Sequence, residues 1–154
     1  MVNNRGNNRG FTMLELMVVL VIAVLIMTLV PPLLSGLSGS TELRGAARQL
    51  AAGLRSARNE AVTKQRAASL FLDLEQRRFT VTGNRRDYAL PADADVKLYT
   101  AQSELRDATT GGVRFFPDGS STGGHIALSN ERMGYRVNVD WLTGRVTIVD
   151  QDVR

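Results

Sequence analysis

The sequence predicts an α+β protein in which one long N-terminal helix packs against a C-terminal head of mainly antiparallel β-sheet. Three observations predict it. A polar leader opens onto an almost uninterrupted apolar run, and an apolar stripe at helical spacing follows that run. After Lys64 the period changes to the alternation of short strands. The expected organisation is a leader at 1–10, a transmembrane first half of the helix at 11–34, an amphipathic continuation at 35–66 and a β-rich head at 67–154.

Composition limits the chemistry before any element is placed. The 154 residues contain no cysteine and one histidine. That excludes disulfides, thiolate nucleophiles, thiolate metal sites and multi-histidine centres within one chain. The formal net charge is +4, from 19 Lys+Arg against 15 Asp+Glu, and only Lys64 and Lys97 are lysines. Without residues 1–10, which hold Arg5 and Arg9, the balance is 17 against 15. An excess that small is weak support for a nucleic-acid surface, which shows as a clustered basic face.

The leader, MVNNRGNNRG, is polar, basic and without apolar periodicity. From Leu16 to Val30, fifteen residues, only Thr28 is polar. The 21 residues from Leu14 to Leu34, at about 1.5 Å per residue, match a hydrocarbon core of roughly 30 Å. Arg5 and Arg9 then stay on the cytoplasmic side and the body is translocated. No small-residue cleavage site of secretory type follows the run. Glu15 is the anomaly. A lone carboxylate in such a helix costs on the order of 2.5–3.5 kcal/mol or more, so it calls for a cationic partner.

Gly10-Phe11-Thr12-Met13-Leu14-Glu15 with the apolar run behind it closely resembles the N-terminal signal of type IV pilins and type II secretion pseudopilins. The resemblance implies cleavage by a prepilin peptidase between Gly10 and Phe11 and N-methylation of Phe11. It also implies a charge pair between Glu15 and the new ammonium group of Phe11 on a neighbouring subunit. Two charges that are each costly in lipid become tolerable when paired. Pro31 and Pro32 read as a helix stop or kink. The family commonly has a single proline at the position of Pro32, and the doubled proline departs from that.

Beyond the Gly/Ser stretch at 36–40, Leu43, Ala47, Leu50, Leu54, Ala57 and Ala61 recur at spacings of four and three. That is one apolar stripe, with Arg44, Arg48, Arg55, Arg58 and Glu60 mostly off it. Seven strands are expected after Lys64: 68–73, 78–82, 96–99, 113–116, 126–128, 135–139 and 145–149. A turn at Glu75-Gln76-Arg77 joins the first two, and Thr143-Gly144 closes a last hairpin.

Between the fourth and fifth strands lies Phe115-Phe116-Pro117-Asp118-Gly119-Ser120-Ser121-Thr122-Gly123-Gly124. From its residues this is a strand end, a turn and a loop. It also resembles the signature of the H-type minor pseudopilins of type II secretion, carried by Phe116, Asp118, Gly119, Gly123 and Gly124. That resemblance implies a filament subunit, not an enzyme, with no cofactor. Its implied partners are other minor pseudopilins in a tip complex, the major pseudopilin, the prepilin peptidase, the inner-membrane assembly platform and, before assembly, membrane lipid. The implied location is single-pass in a bacterial inner membrane with the head periplasmic.

Other chemistry is poorly supported. Asp118, Ser120, Ser121 and His125 lie close in sequence, but a Ser/Gly loop without a nucleophile elbow lacks the fixed geometry of serine catalysis. Neither Asp93 with Asp95 nor Asp150 with Asp152 makes a calcium loop of the required density. No phosphate-cradling Gly-Lys loop is present. Arg77, Arg78, Arg85 and Arg86 flank one hairpin. They read either as a solvated sheet edge or as a basic patch for DNA or an acidic protein. The DNA reading is the alternative: a type IV minor pilin acting in DNA uptake. Aromatic residues at 6% argue against a stacking platform for single strands.

Overall fold

A computed structural model describes residues 11–151, the side chains of residues 29–40 excepted. The elements in chain order are α1 (Met13–Lys64), β1 (Ala68–Asp73), β2 (Arg78–Val81), β3 (Tyr88–Ala89), β4 (Asp95–Tyr99), a 3-10 turn (Gln102–Glu104), β5 (Thr110–Phe115), β6 (Gly124–Ser129), β7 (Gly134–Val139) and β8 (Val146–Gln151). The described residues form two compact units, divided between Ser38 and Gly39.

In the first unit α1 starts where its chemistry tells it to. Thr12 precedes the first helical residue, and its Oγ1 accepts from the Glu15 N–H at 3.2 Å. Glu15 sits in the first turn. Thr followed three residues later by Glu is the capping-box pattern, and a carboxylate there complements the helix dipole. Every side chain from Phe11 to Thr28 is exposed. Among the described residues no helix is long and apolar enough to cross a membrane. The span expected at 14–34 includes residues 29–34, whose side chains lie outside the described ones. The same holds for Pro31 and Pro32, and the bounds of α1 run through both.

In the second unit the helical stripe is the core. Leu43, Ala47, Leu50, Leu54, Ala57 and Ala61 are each at most 1% exposed. A fully buried leucine contributes about 1.5–3 kcal/mol, so the three leucines are the main anchor. Two four-stranded sheets complete the layer, in orders β3-β2-β1-β5 and β4-β6-β7-β8. Every strand pair is antiparallel. Leu70, Leu72, Phe79, Val81, Val113 and Phe115 come from the first sheet and Ile126, Leu128, Val137 and Val139 from the second, and all join one cluster with the stripe. Small residues bring α1 close: a Cβ on Gly53 would lie 2.8 Å from the Phe79 ring and 3.1 Å from Leu70.

Three features depart from the sequence reading. β3 is an extra strand of two residues at the edge of the first sheet. It is held by Tyr88 stacked on Phe79, with ring centroids 4.9 Å apart. β5 starts at Thr110, three residues early, and so absorbs Gly111 and Gly112. A Cβ on Gly112 would meet the Leu70 carbonyl oxygen, so glycine there is needed for close strand contact. Finally, Glu104 is buried, with Oε2 3.2 Å from the Nε of Arg114, which ties the 3-10 turn to β5.

Candidate functional site

The two regions singled out by sequence lie one in each unit. At the N-terminal end, Phe11 is 83% exposed, and Glu15 is exposed in the first turn of α1. The Glu15 backbone is used in the cap, while its carboxylate makes no ion pair among the described residues. The geometry therefore offers an uncompensated carboxylate at the start of an apolar rod. Gly10, the other half of the expected cleavage site, lies outside the described residues.

The signature loop is a knot joining three elements. Asp118 Oδ1 accepts from Ser120 N–H at 3.0 Å and from Ser120 Oγ at 2.6 Å. These bonds hold its carboxyl below the usual carboxylate range. The Gly119 N–H donates to the Phe116 carbonyl at 2.9 Å. From α1, Arg58 Nε donates to the Gly119 carbonyl at 3.2 Å and Arg55 Nη2 to the Val146 carbonyl at 3.2 Å. Ser121 N–H donates to the Trp141 carbonyl at 2.8 Å, and its Oγ to the Asp140 carbonyl at 3.0 Å.

The glycines follow from this. Gly124 has φ +125, and a Cβ there would fall on the Tyr99 carbonyl. Gly144, in the hairpin opposite, has φ +61, and a Cβ there would fall on the Gly119 carbonyl and 2.8 Å from Arg58 Nε. Only glycine satisfies both the backbone and the space. Sequence reading placed Arg55 and Arg58 off the packing stripe, and their part in the loop was not visible there. Helical periodicity carries no signal for a carbonyl 61 residues away.

The hairpin between β7 and β8 is closed by similar bonds. Asp140 Oδ1 accepts from the N–H and Oγ1 of Thr143, each at 2.7 Å, and these bonds depress its pKa. The hairpin holds Trp141 67% and Leu142 63% exposed. His125 is in β6, between β4 and β7. It stacks on Tyr99 with centroids 4.4 Å apart, and burial, then Arg136, lower its pKa.

The four arginines of the candidate basic patch do not share one environment. Arg77, at φ +50 in the β1–β2 turn, donates from Nη1 to the carbonyls of Pro91, Ala92 and Ala94. It fastens the chain between β3 and β4. Arg78 pairs with Asp87 at 3.4 Å. Arg85 and Arg86 are exposed. Among the described residues no group of three or more metal-ligating side chains is close enough to hold an ion.

Comparison with known proteins fits this geometry. Residues 46–144 match the family model of the type II transport protein GspH, and residues 5–31 match the prokaryotic N-terminal methylation motif. A relative from Xanthomonas campestris pv. campestris, type II secretion system protein H, is 33% identical over 138 residues, which cover 90% of this chain and 81% of the relative. Among solved structures, the minor pseudopilin EpsH of the Vibrio cholerae type 2 secretion system superposes with a TM-score of 0.57 at 12% identity, covering 71% of this chain and 97% of that one. The Pseudomonas aeruginosa type IV minor pilin FimU gives 0.55 at 20% identity, covering 73% and 92%. Those two likenesses bear on the fold: a helix with antiparallel sheets, as in pilins. The head and the N-terminal motif together place this chain in the GspH family of type II transport proteins.

Proposed function

We propose that this chain is a minor pseudopilin, a structural subunit of the periplasmic filament that drives protein export through the type II secretion system. The observation that carries the reading is an apolar helix exposed on every described side, headed by a methylation motif with an uncompensated Glu15 and attached to a GspH-type head. A helix apolar all round requires burial against something. Lipid supplies it first, and the helices of neighbouring subunits supply it after assembly. In this account the chain sits in the inner membrane with its head periplasmic, is cut between Gly10 and Phe11 and N-methylated on Phe11. Glu15 then pairs with the ammonium group of a neighbouring Phe11 as the helix leaves the lipid. Its partners are other minor pseudopilins, the major pseudopilin, the prepilin peptidase and the assembly platform.

The reading implies no catalysis: the chain's own residues supply packing, register and docking. The type IV minor-pilin alternative shares the fold. The match to the GspH model and the 33% identical secretion relative favour the secretion role. Deletion of this chain in its own cells, with secreted proteins measured in the medium and pilus-dependent DNA uptake in parallel, tests it. Loss of secretion with uptake intact is expected. Loss of uptake with secretion intact contradicts it.

A further inference from the structure

The outward face of the second sheet carries a site that neither the core nor the signature loop explains. Alternation along the strands sends Ile126, Leu128, Val137 and Val139 into the core and their neighbours to the opposite face. Strand register then lays two rows across that face. One runs Tyr99, His125, Asn138, Thr147, and the next runs Lys97, Ala127, Arg136, Val149. Trp141, His125, Asn138 and Thr147 line one groove along the first row.

Arg136 stands in the middle of the second row. Its Nε is buried and finds no hydrogen-bond acceptor among the described residues. A buried N–H left unpaired is costly, and native proteins rarely keep one without a use. Lys97, in the same row, is already paired with Asp95 at 3.0 Å. His125 is held below its usual pKa by burial and by Arg136, so it stays neutral near pH 7. Arg136 is thus the uncompensated cation of its row. Val149, exposed, is its partner in register; the Tyr99–His125 stack lies in the neighbouring row, and the exposed Trp141 lies farther along the groove of that row. Interfaces take their strongest contacts from such residues: aromatic anchors and an arginine, set in a water-excluding surround.

We propose that this face docks a neighbouring subunit of the filament through one carboxylate, an aspartate or glutamate side chain, that accepts from Arg136 while apolar groups beside it cover Val149 and the aromatic row. One available guanidinium suits one carboxylate. A nucleic-acid backbone needs several cations in line, and Asp95 on the same face repels it. The inference rests on the pseudopilin reading and deepens it.

The test uses the full chain in its own cells, with a photoreactive amino acid at Val149. The expected result is a crosslink to another pseudopilin that falls on the order of tenfold in the Arg136→Glu variant. Exchange of an acidic residue of that subunit for lysine restores it. The Arg136→Met variant is expected to melt no lower than the parent, because it removes an unpaired buried N–H. A crosslink indifferent to Arg136→Glu, a crosslink to nucleic acid, or no subunit crosslink at all overturns the inference. A lower melting point of both Arg136→Met and Arg136→Lys does so too, since it assigns Arg136 an internal role. Secretion that needs this chain but ignores Arg136→Glu defeats the inference alone. Secretion that does not need the chain defeats the pseudopilin reading beneath it.

Discussion

Glu15 has a local task and a proposed intermolecular one. Its N–H caps the helix on Thr12, and its carboxylate, which makes no ion pair among the described residues, is the group proposed to meet a neighbouring subunit. Replacing Glu15 with Ala should leave peptidase cleavage intact and abolish or weaken incorporation into filaments, measured separately by N-terminal processing and by shearing assays. Normal incorporation contradicts the charge-pair account. Thr12→Ala should instead fray the first turn at a cost of about 1 kcal/mol, visible as lost helicity.

In the head, Asp107, Asp118 and Asp140 each accept bonds from residues just after them, and each carboxyl is held below its ordinary value. A depressed pKa contributes stability that is complete above the unfolded value, about 4. That stability is lost as pH falls through the lower folded value. Stability should therefore be flat near neutrality and fall below about pH 4. Asp118→Asn with Asp140→Asn should flatten that acid limb in pH-dependent melting. The Asp-Gly and Gly-Gly pairs were legible from sequence as turn chemistry. The tie of Gly119 to Arg58 was not, because it joins residues 61 apart in the chain.

At the level of elements, two glycines of α1 should respond oppositely. Gly45 has nothing within 4 Å of its missing Cβ, whereas Gly53 faces Phe79 at 2.8 Å. Gly45→Ala should stabilise the head by up to about 1 kcal/mol through helix propensity. Gly53→Leu should destabilise it by about 1–3 kcal/mol or more through overpacking. Urea denaturation of the two variants checks both signs. The same contrast explains what sequence could say about elements. The stripe from Leu43 to Ala61 was readable because 3.6-residue periodicity is local. The strands from β6 to β8 were readable because alternation is local too. β3 was not, since two residues have no period and Tyr88 stacks on Phe79, a residue of another strand. The start of β5 was misread because Gly111-Gly112 obeys a packing demand set by Leu70, Leu98 and Leu105.

For the whole molecule, two kinds of surface need covering. The first is the apolar rod from Phe11 to Thr28, exposed all round. The second is the outward sheet face around Arg136. Both fit the proposed role of a filament subunit, in which the rod exchanges lipid for helix–helix packing and the sheet face meets a neighbouring subunit. Sequence alone pointed to the rod through its composition and motif. The sheet face became visible only with strand register, which brings together residues from four strands. The proposed filament role depends most on processing between Gly10 and Phe11. Mass spectrometry of the protein isolated from its own cells measures that directly. The account predicts a chain beginning at Phe11 with a methylated amine, and a chain still beginning at Met1, or cut on the far side of the apolar run, contradicts it.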